Sequence, residues 1–243
     1  MMEVSVAVGI SVVIPMYNEE GYIRRTVKEV VNALKDITDD YEIIIVDDAS
    51  TDNSGRIADE LSQEDPHIRV ARHKKNQKLG ASLRTGFNLA SKELVLYTDM
   101  DMPFDLKEIR KAVDFVVKEK ADFISVYRLG TMGRGDGIKR YIYSIVYNLF
   151  IRHIFGLHIR DVNFSFKLIW LTLLKELNLR SEGSFIDAEM LIKAQRRGAK
   201  IVQFGTTYFP RLKGASGLSN LSIIIKILQE AFALRMQLFL NRD

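Results

Sequence analysis

Short apolar runs rich in β-branched residues alternate along the first half of the chain with stretches whose apolar residues return every three or four positions. Residues 10–15, ISVVIP, are the first run, stopped by Pro15, and a continuous apolar run of this length predicts a buried strand. Ile23, Val27, Val30, Leu34 and Ile37 then fall at helical spacing and predict a helix over 20–37. The alternation continues with EIIIV at 42–46 as a strand, Ile57 and Leu61 on a short helix, and HIRVAR at 67–72 as a third strand. Leu83, Phe87 and Ala90 mark a helix, ELVLYT at 93–98 a fourth strand, Leu106 to Val116 another helix, and DFISVY at 122–127 a fifth strand. Such alternation predicts right-handed βαβ units, hence an α/β fold with a mostly parallel sheet and helices on both faces. Ligands of such sheets bind beyond the carboxyl ends of the strands. Pro15, Tyr17, Asn18 and Glu19 lie at the first of those ends, Asp47 and Asp48 at the second, Asp99 and Asp101 at the fourth, and Arg128 at the fifth.

The second half is less regular. Residues 137–156 predict a helix in which Arg140, Ser144, Asn148 and Arg152 form a narrow polar stripe among Ile, Val, Leu, Tyr and Phe. Residues 219–240 predict a second amphipathic helix, with Ser222, Lys226, Gln229 and Gln237 as its polar positions. The chain shows no internal repeat, low-complexity tract or linker, so the expected division is a catalytic domain over 1–217 and a terminal helix over 218–243.

Composition narrows the setting. At 243 residues one sizeable domain suffices. There is no cysteine, which excludes disulfides and thiolate metal sites and fits a reducing compartment. The first residues lack a basic region and a small-residue cleavage site, so no signal peptide is expected. No run approaches the ~18 apolar residues of a membrane span. A net charge of +4 is mild; it suits a phosphate or a lipid headgroup, and nucleic acid is not an expected partner.

Three segments carry candidate chemistry. In YTDMDM, Asp99 and Asp101 end an apolar strand one residue apart. Like charges there repel, and a divalent cation removes the repulsion; hard Mg²⁺ or Mn²⁺ suits carboxylates and bridges to substrate phosphates. A solvated turn with capping aspartates is the plainer account of the same letters. VDDASTDNSG is either a helix-capping loop or an acceptor array for a sugar hydroxyl or a base N–H. KNQKLGASLRTG places Gly80, Gly86, Lys78 and Arg84 around a helix start, as a loop and cap or as a cradle for a diphosphate, without either glycine-rich nucleotide fingerprint.

Together, VVIPMYNEE, IIIVDDASTDNS and LVLYTDMDM resemble the family 2 glycosyltransferases of the GT-A, Rossmann-like fold, over roughly residues 10–220. Within that family the chain is most similar to dolichyl-phosphate mannosyltransferases and related polyprenyl-phosphate hexosyltransferases, through NLFIRHIFGLHIRDVNFSFKLI, GSFIDAEMLIKA and PRLKGASGL. The resemblance implies that Pro15, Tyr17, Glu19, Val46 and Asp48 hold the nucleoside, and that Asp99, Met100 and Asp101 hold metal and diphosphate, Met100 by its backbone. It implies phosphate contacts from Arg128 and Arg211, and a donor contact from Ser216. The chain departs from the family's mannosyl pattern at Pro103, Phe164, Asp187 and Gly217.

The expected reaction is inverting, metal-dependent transfer of a hexose from a nucleotide-sugar to a polyprenyl phosphate, with GDP-mannose as the favoured donor and UDP-glucose as another. A lipid monophosphate is already anionic and needs no general base, whereas a hydroxyl acceptor does; in that alternative Asp187 is the base. A non-catalytic nucleotide-sugar binding module is the third reading. Arg128, Arg134, Lys139 and Arg140 are the expected acceptor-phosphate residues. A basic helix with large apolar residues, as over 137–156, can lie in a bilayer interface or pack as an ordinary helix; the helix over 219–240 is expected to pack or to make an oligomer contact rather than to meet a membrane. The expected location is therefore the cytoplasmic face of a membrane, and a membrane-spanning partner is compatible with the lack of a span.

Overall fold

The computed structural model describes residues 8–129, 138–209 and 221–240, apart from the side chains of 138–142 and 221–223. Seven strands form one sheet in the order β3-β2-β1-β4-β6-β5-β7. The first half follows the predicted alternation: β1 Ile10–Met16, α1 Ile23–Lys35, β2 Tyr41–Asp47, α2 Ser54–Glu64, β3 Ile68–Arg72, α3 Lys78–Leu89, β4 Leu94–Thr98, α4 Lys107–Lys118 and β5 Phe123–Leu129. The second half contains α5 Ile138–Phe155, β6 Phe166–Trp170, α6 Leu171–Glu176, α7 Ile186–Arg196, β7 Ile201–Thr207 and α8 Leu221–Leu240. The expected mostly parallel α/β sheet is what forms, with β6 as the antiparallel member between β4 and β5.

Strand alternation sends successive side chains to opposite faces, and both faces are covered. Val12 and Ile14 of β1 and Ile43 and Ile45 of β2 join a core closed by α1, α2 and α4. Val13, Ile44 and Val46 join a second core closed by α3, α5, α6, α7 and α8. Gly86 of α3 has no room for a Cβ against Val13 and Val46, so glycine there lets the helix lie directly on the strands.

The sheet fixes where a ligand can enter. Order runs outward from β1 in both directions, through β2 to β3 and through β4 to β6. The β1–β4 ladder ends at Val13↔Tyr97, whereas β1–β2 pairing continues to Met16↔Asp47. The crevice of a doubly wound sheet opens where the strand order reverses, and β1 and β4 flank that point here. Pro15, which has no N–H to give a ladder, sits where the two strands part.

Candidate active site

A cavity of about 390 Å³ lies beyond the carboxyl ends of β1, β2 and β4. Pro15, Met16, Tyr17 and Glu19 wall it from β1, Asp48 from β2, Asn76, Lys78, Leu79 and Ser82 from the start of α3, and Asp99, Met100 and Asp101 from β4. Four of the six non-glycine residues with positive φ among the described residues stand at or beside this wall: Asn18 at 56°, Ala49 at 63°, Lys78 at 75° and Met102 at 41°. Backbone held in the left-handed region costs free energy, and it concentrates where a fixed geometry is needed.

The strand ends at Thr98, before the two aspartates. The Met102 N–H donates to the Asp99 carbonyl at 3.3 Å, turning the chain, and Asp99 and Asp101 both line the cavity. Met100 is buried, and its carbonyl accepts the Thr26 hydroxyl at 2.6 Å, so α1 holds this turn from beneath.

The polar loop after β2 bonds mainly to the protein itself. The Asn18 N–H donates to Ser50 Oγ and the Thr51 N–H to Asn18 Oδ1, while Ser54 Oγ accepts the Glu19 N–H at 2.7 Å. Asp47 accepts the Ser50 N–H and pairs with Arg72 at 2.9 Å. Asp48 lines the cavity, yet both its oxygens are engaged: Oδ1 accepts from His73 Nδ1 at 2.7 Å and from the Gln77 N–H at 2.8 Å, and Oδ2 accepts the Lys78 N–H at 2.8 Å.

The start of α3 is likewise spoken for. The Gly80 and Ala81 N–H groups donate to the Glu182 carbonyl, and Arg84 turns away to the Arg180 and Ser181 carbonyls. Of the cations in that segment Lys78 is the one that walls the cavity.

Two other expected site residues, Val46 and Arg128, do not line it. Val46 is fully buried in the second core. Arg128 lies within β5, not past its end, and grips Asp161 with Nε at 2.7 Å and Nη2 at 3.1 Å beside the rings of Phe164 and Tyr208. Arg134, Arg211 and Ser216 lie outside the described residues. Lys139 and Arg140 belong to α5, but their side chains are not described.

A polar row, buried except at its Gln203 end, runs behind the site, on the α3 and α7 face of the sheet. Pairing sets Tyr97 beside Lys167, Lys167 beside Ser125 and Ser125 beside Gln203. Lys167 is fully buried and donates to the Phe164 carbonyl at 2.6 Å. Burial lowers its pKa, opposed by the charges of Asp187, Asp161 and Asp99. Asp187, in the first turn of α7, is buried with no hydrogen-bond partner for Oδ1 among the described residues. Burial pushes its pKa up to about 7, against the pull of Lys167 and helped by Asp99 and Asp161. Sequence reasoning did not find Lys167, Asn76 or Ser82; a lysine inside an apolar strand and an asparagine just past the third strand were the available signals.

The profile of glycosyl transferase family 2 matches residues 11–177, which include every described wall of the cavity. The chain belongs to this family. Glycosyltransferase AglD of Haloferax volcanii is 29% identical over 213 residues, covering 84% of the chain and 34% of that protein. The undecaprenyl-phosphate 4-deoxy-4-formamido-L-arabinose transferase of Yersinia enterocolitica is 31% identical over 153 residues, 63% of the chain and 46% of that protein. The chain thus spans a third to a half of the length of these curated relatives. Glucosyl-3-phosphoglycerate synthase of Mycobacterium tuberculosis, solved with Mn²⁺, UDP-glucose and phosphoglyceric acid, superposes with a TM-score of 0.67 at 19% identity, covering 93% of the chain and 80% of that structure. Mannosyltransferase PcManGT of Pyrobaculum calidifontis, solved with GDP-mannose and Mn²⁺, gives 0.64 at 15% identity, covering 95% of the chain and 65% of that structure. The expectation of a family 2 chain with the GT-A fold is met.

Proposed function

We propose that this family 2 chain transfers a hexose from a nucleotide-sugar to a polyprenyl phosphate at the cytoplasmic face of a membrane, with inversion at the sugar. The observation that carries the reading is the cavity at the β1–β4 crevice, where Asp99 and Asp101 stand at one end and the β1 and β2 loops at the other. Its donor is GDP-mannose or UDP-glucose. The nucleoside rests on Pro15, Tyr17 and Glu19 beside Asp48, and the diphosphate lies toward Asp99, Met100 and Asp101.

The donor set fits a hard divalent ion. Among the described residues no cluster of three or more His, Cys, Asp or Glu could hold a metal by itself. Two carboxylates completed by substrate phosphates and water are the habit of Mg²⁺ and Mn²⁺. When bound, such an ion neutralises the charge that gathers on the leaving diphosphate. The chain's own part is positional. Thr26 fixes the turn that aims the two carboxylates; the basic residues Arg134, Lys139 and Arg140 hold the acceptor phosphate, and Arg211 holds a donor phosphate. Arg128, clamped to Asp161, orients that side. An acceptor phosphate oxygen attacks the anomeric carbon, the bond to the diphosphate oxygen breaks, and the nucleoside diphosphate leaves with the electron pair. No proton has to move, so no base is required.

The membrane part rests on two helices. No helix among the described residues is long and apolar enough to cross a bilayer. Yet α5 exposes Tyr143, Val146 and Leu149, and α8 exposes Ile225, Leu228, Phe232 and Phe239. Asn148 of α5, by contrast, turns inward to accept the Val162 N–H at 3.1 Å. Both helices pack on the same face of the sheet, and their outer apolar stripes suit a bilayer interface.

A second reading, transfer to a hydroxyl, is favoured by Asp187, whose buried carboxyl has a pKa near that of an effective base. One assay separates the readings. Nucleotide-sugar, metal and either polyprenyl phosphate or a polyol are supplied, and free nucleoside diphosphate is followed. Release with the lipid phosphate alone supports the first reading, release with the hydroxyl alone overturns it, and none with either leaves a binding module.

A further inference from the structure

We propose that Glu230 of α8 is a positioning residue for the donor site, acting through two peptide planes on the helix start that walls the cavity. The inference rests on the reading of the cavity as the donor site. Glu230 does not line that cavity, whereas Lys78, Leu79 and Ser82 of α3 do.

The start of α3 takes its cap from far along the chain. The N–H groups of a helix start need partners, and Gln77, in the capping position, supplies none from its side chain. The Glu182 carbonyl instead accepts the Gly80 N–H at 2.8 Å and the Ala81 N–H at 3.3 Å. The Ser181 carbonyl accepts Arg84 Nη1 at 2.9 Å. The approach is close, since a Cβ on Gly80 would stand 2.3 Å from the Ser181 oxygen. The segment 181–183 therefore decides where this turn stands.

Glu230 holds the other side of that segment. A peptide unit is planar and trans, so its N–H and C=O point in opposite directions. The unit joining Ser181 to Glu182 gives its carbonyl to Arg84 and its N–H to Glu230 Oε1 at 3.0 Å. The unit joining Glu182 to Gly183 gives its carbonyl to Gly80 and Ala81 and its N–H to the same oxygen at 3.4 Å. One carboxylate thus grips both planes that grip the start of α3. An ion pair between Lys226 and Glu182 at 2.9 Å ties the same helix to the same segment. From the opposite side, Asp48 accepts the Lys78 N–H. The wall of the cavity is therefore held between β2 and α8.

Calorimetry on the whole chain with Mg²⁺ and UDP or GDP tests this. Glu230→Ala should weaken whichever nucleotide the unaltered chain binds by about fivefold, the lower end of couplings between separate sites. Glu230→Gln keeps an acceptor oxygen and should recover most of the loss. Leu234→Ala removes a buried contact of the same helix and reports what lost packing alone does; it should lower the melting temperature and spare nucleotide affinity. Coupling is reciprocal, so bound nucleotide should slow hydrogen exchange at the Glu182 and Gly183 amides of the unaltered chain. Unchanged affinity in a folded Glu230→Ala chain overturns the inference while sparing the donor site. Equal losses in Glu230→Ala and Leu234→Ala, or no recovery with Glu230→Gln, make Glu230 a merely structural residue and also overturn it. If Glu230→Ala does not fold, exchange in the unaltered chain decides, and amides that ignore the nucleotide overturn the inference. An unaltered chain that binds neither nucleotide overturns the donor-site reading and the inference together.

Discussion

Helices α1 and α8 use their apolar residues in opposite ways. In α1, Ile23, Val27, Val30 and Leu34 are buried, and Arg24, Arg25 and Lys28 face water. In α8, Ala231 and Leu234 are buried, but Phe232 is 68% exposed and Phe239 62%. Apolar periodicity means the same thing in both, a face that seeks to leave water. What differs is the location of the partner. The face of α1 finds its partner within the sheet. The outer face of α8 finds none among the described residues, and such patches mark interaction surfaces. α5 behaves like α8, with Val146 58% exposed.

The comparison can be broken most severely at the site. Asp101→Ala should lower turnover at least about a hundredfold, equally with an acceptor in detergent and in vesicles, because the carboxylate belongs to the inward-packed half. Release of nucleoside diphosphate is the measurement. Retained activity in metal-free buffer would remove the carboxylates from the metal role.

Next in size is the core of α1. Leu34→Ala should cost about 2–5 kcal/mol in denaturant unfolding, the range for a truncated core leucine. Phe232→Ser with Phe239→Ser should change stability by no more than about 0.5 kcal/mol per site, yet reduce co-sedimentation with anionic vesicles. If the α8 pair destabilised the fold as much as Leu34→Ala, the helices would not differ and the outer face would be core.

A smaller effect concerns charge. Arg140→Glu with Arg152→Glu should lower vesicle binding severalfold at low salt, and the difference should shrink as salt screens it. Nucleotide affinity by calorimetry should not move. Normal turnover of vesicle-borne acceptor by this variant would reduce α5 to a packing element.

The last effect is a slope. The Asp187 pKa is raised to about 7 in the folded state, so between its unfolded value near 4 and 7 the folded chain holds a proton that the unfolded chain lacks. Asp187 therefore stabilises at low pH, and this contribution is lost as pH rises through 7. Asp187→Asn should remove that decline from the stability profile, whatever its constant offset. An unchanged profile would mean that the buried polar row does not set this carboxyl.

The sequence made the first five strands legible because parallel strands buried on both faces need unbroken apolar runs. It hid β6 and β7. Lys167 interrupts β6, and a lysine there is tolerable only because tertiary neighbours supply Asp187, Asp161 and Asp99. β7 carries Gln203 and Gly205 and is half-buried. The carboxylates after β4 were legible as a cavity feature, since a polar pair ending an apolar strand has few other uses. Asp48 was legible as an acceptor but not as one already taken, because His73 and the 77–78 backbone reach it only through the fold. The inward turn of Asn148 was illegible for the same reason. A polar stripe on an apolar helix says which residues differ, not which side meets water.

The antiparallel strand has a consequence during synthesis. β4 pairs with β1 on one side and with β6 on the other. The first pairing can form early, whereas about seventy residues separate the end of β4 from Phe166. At ~5–20 residues per second that is a wait of several seconds. Throughout it, the row LVLYT presents an unpaired apolar edge, the kind that templates aggregation. A nascent chain of this fold thus needs that edge covered, by the ribosome's surroundings or by a chaperone, until β6 arrives to close it.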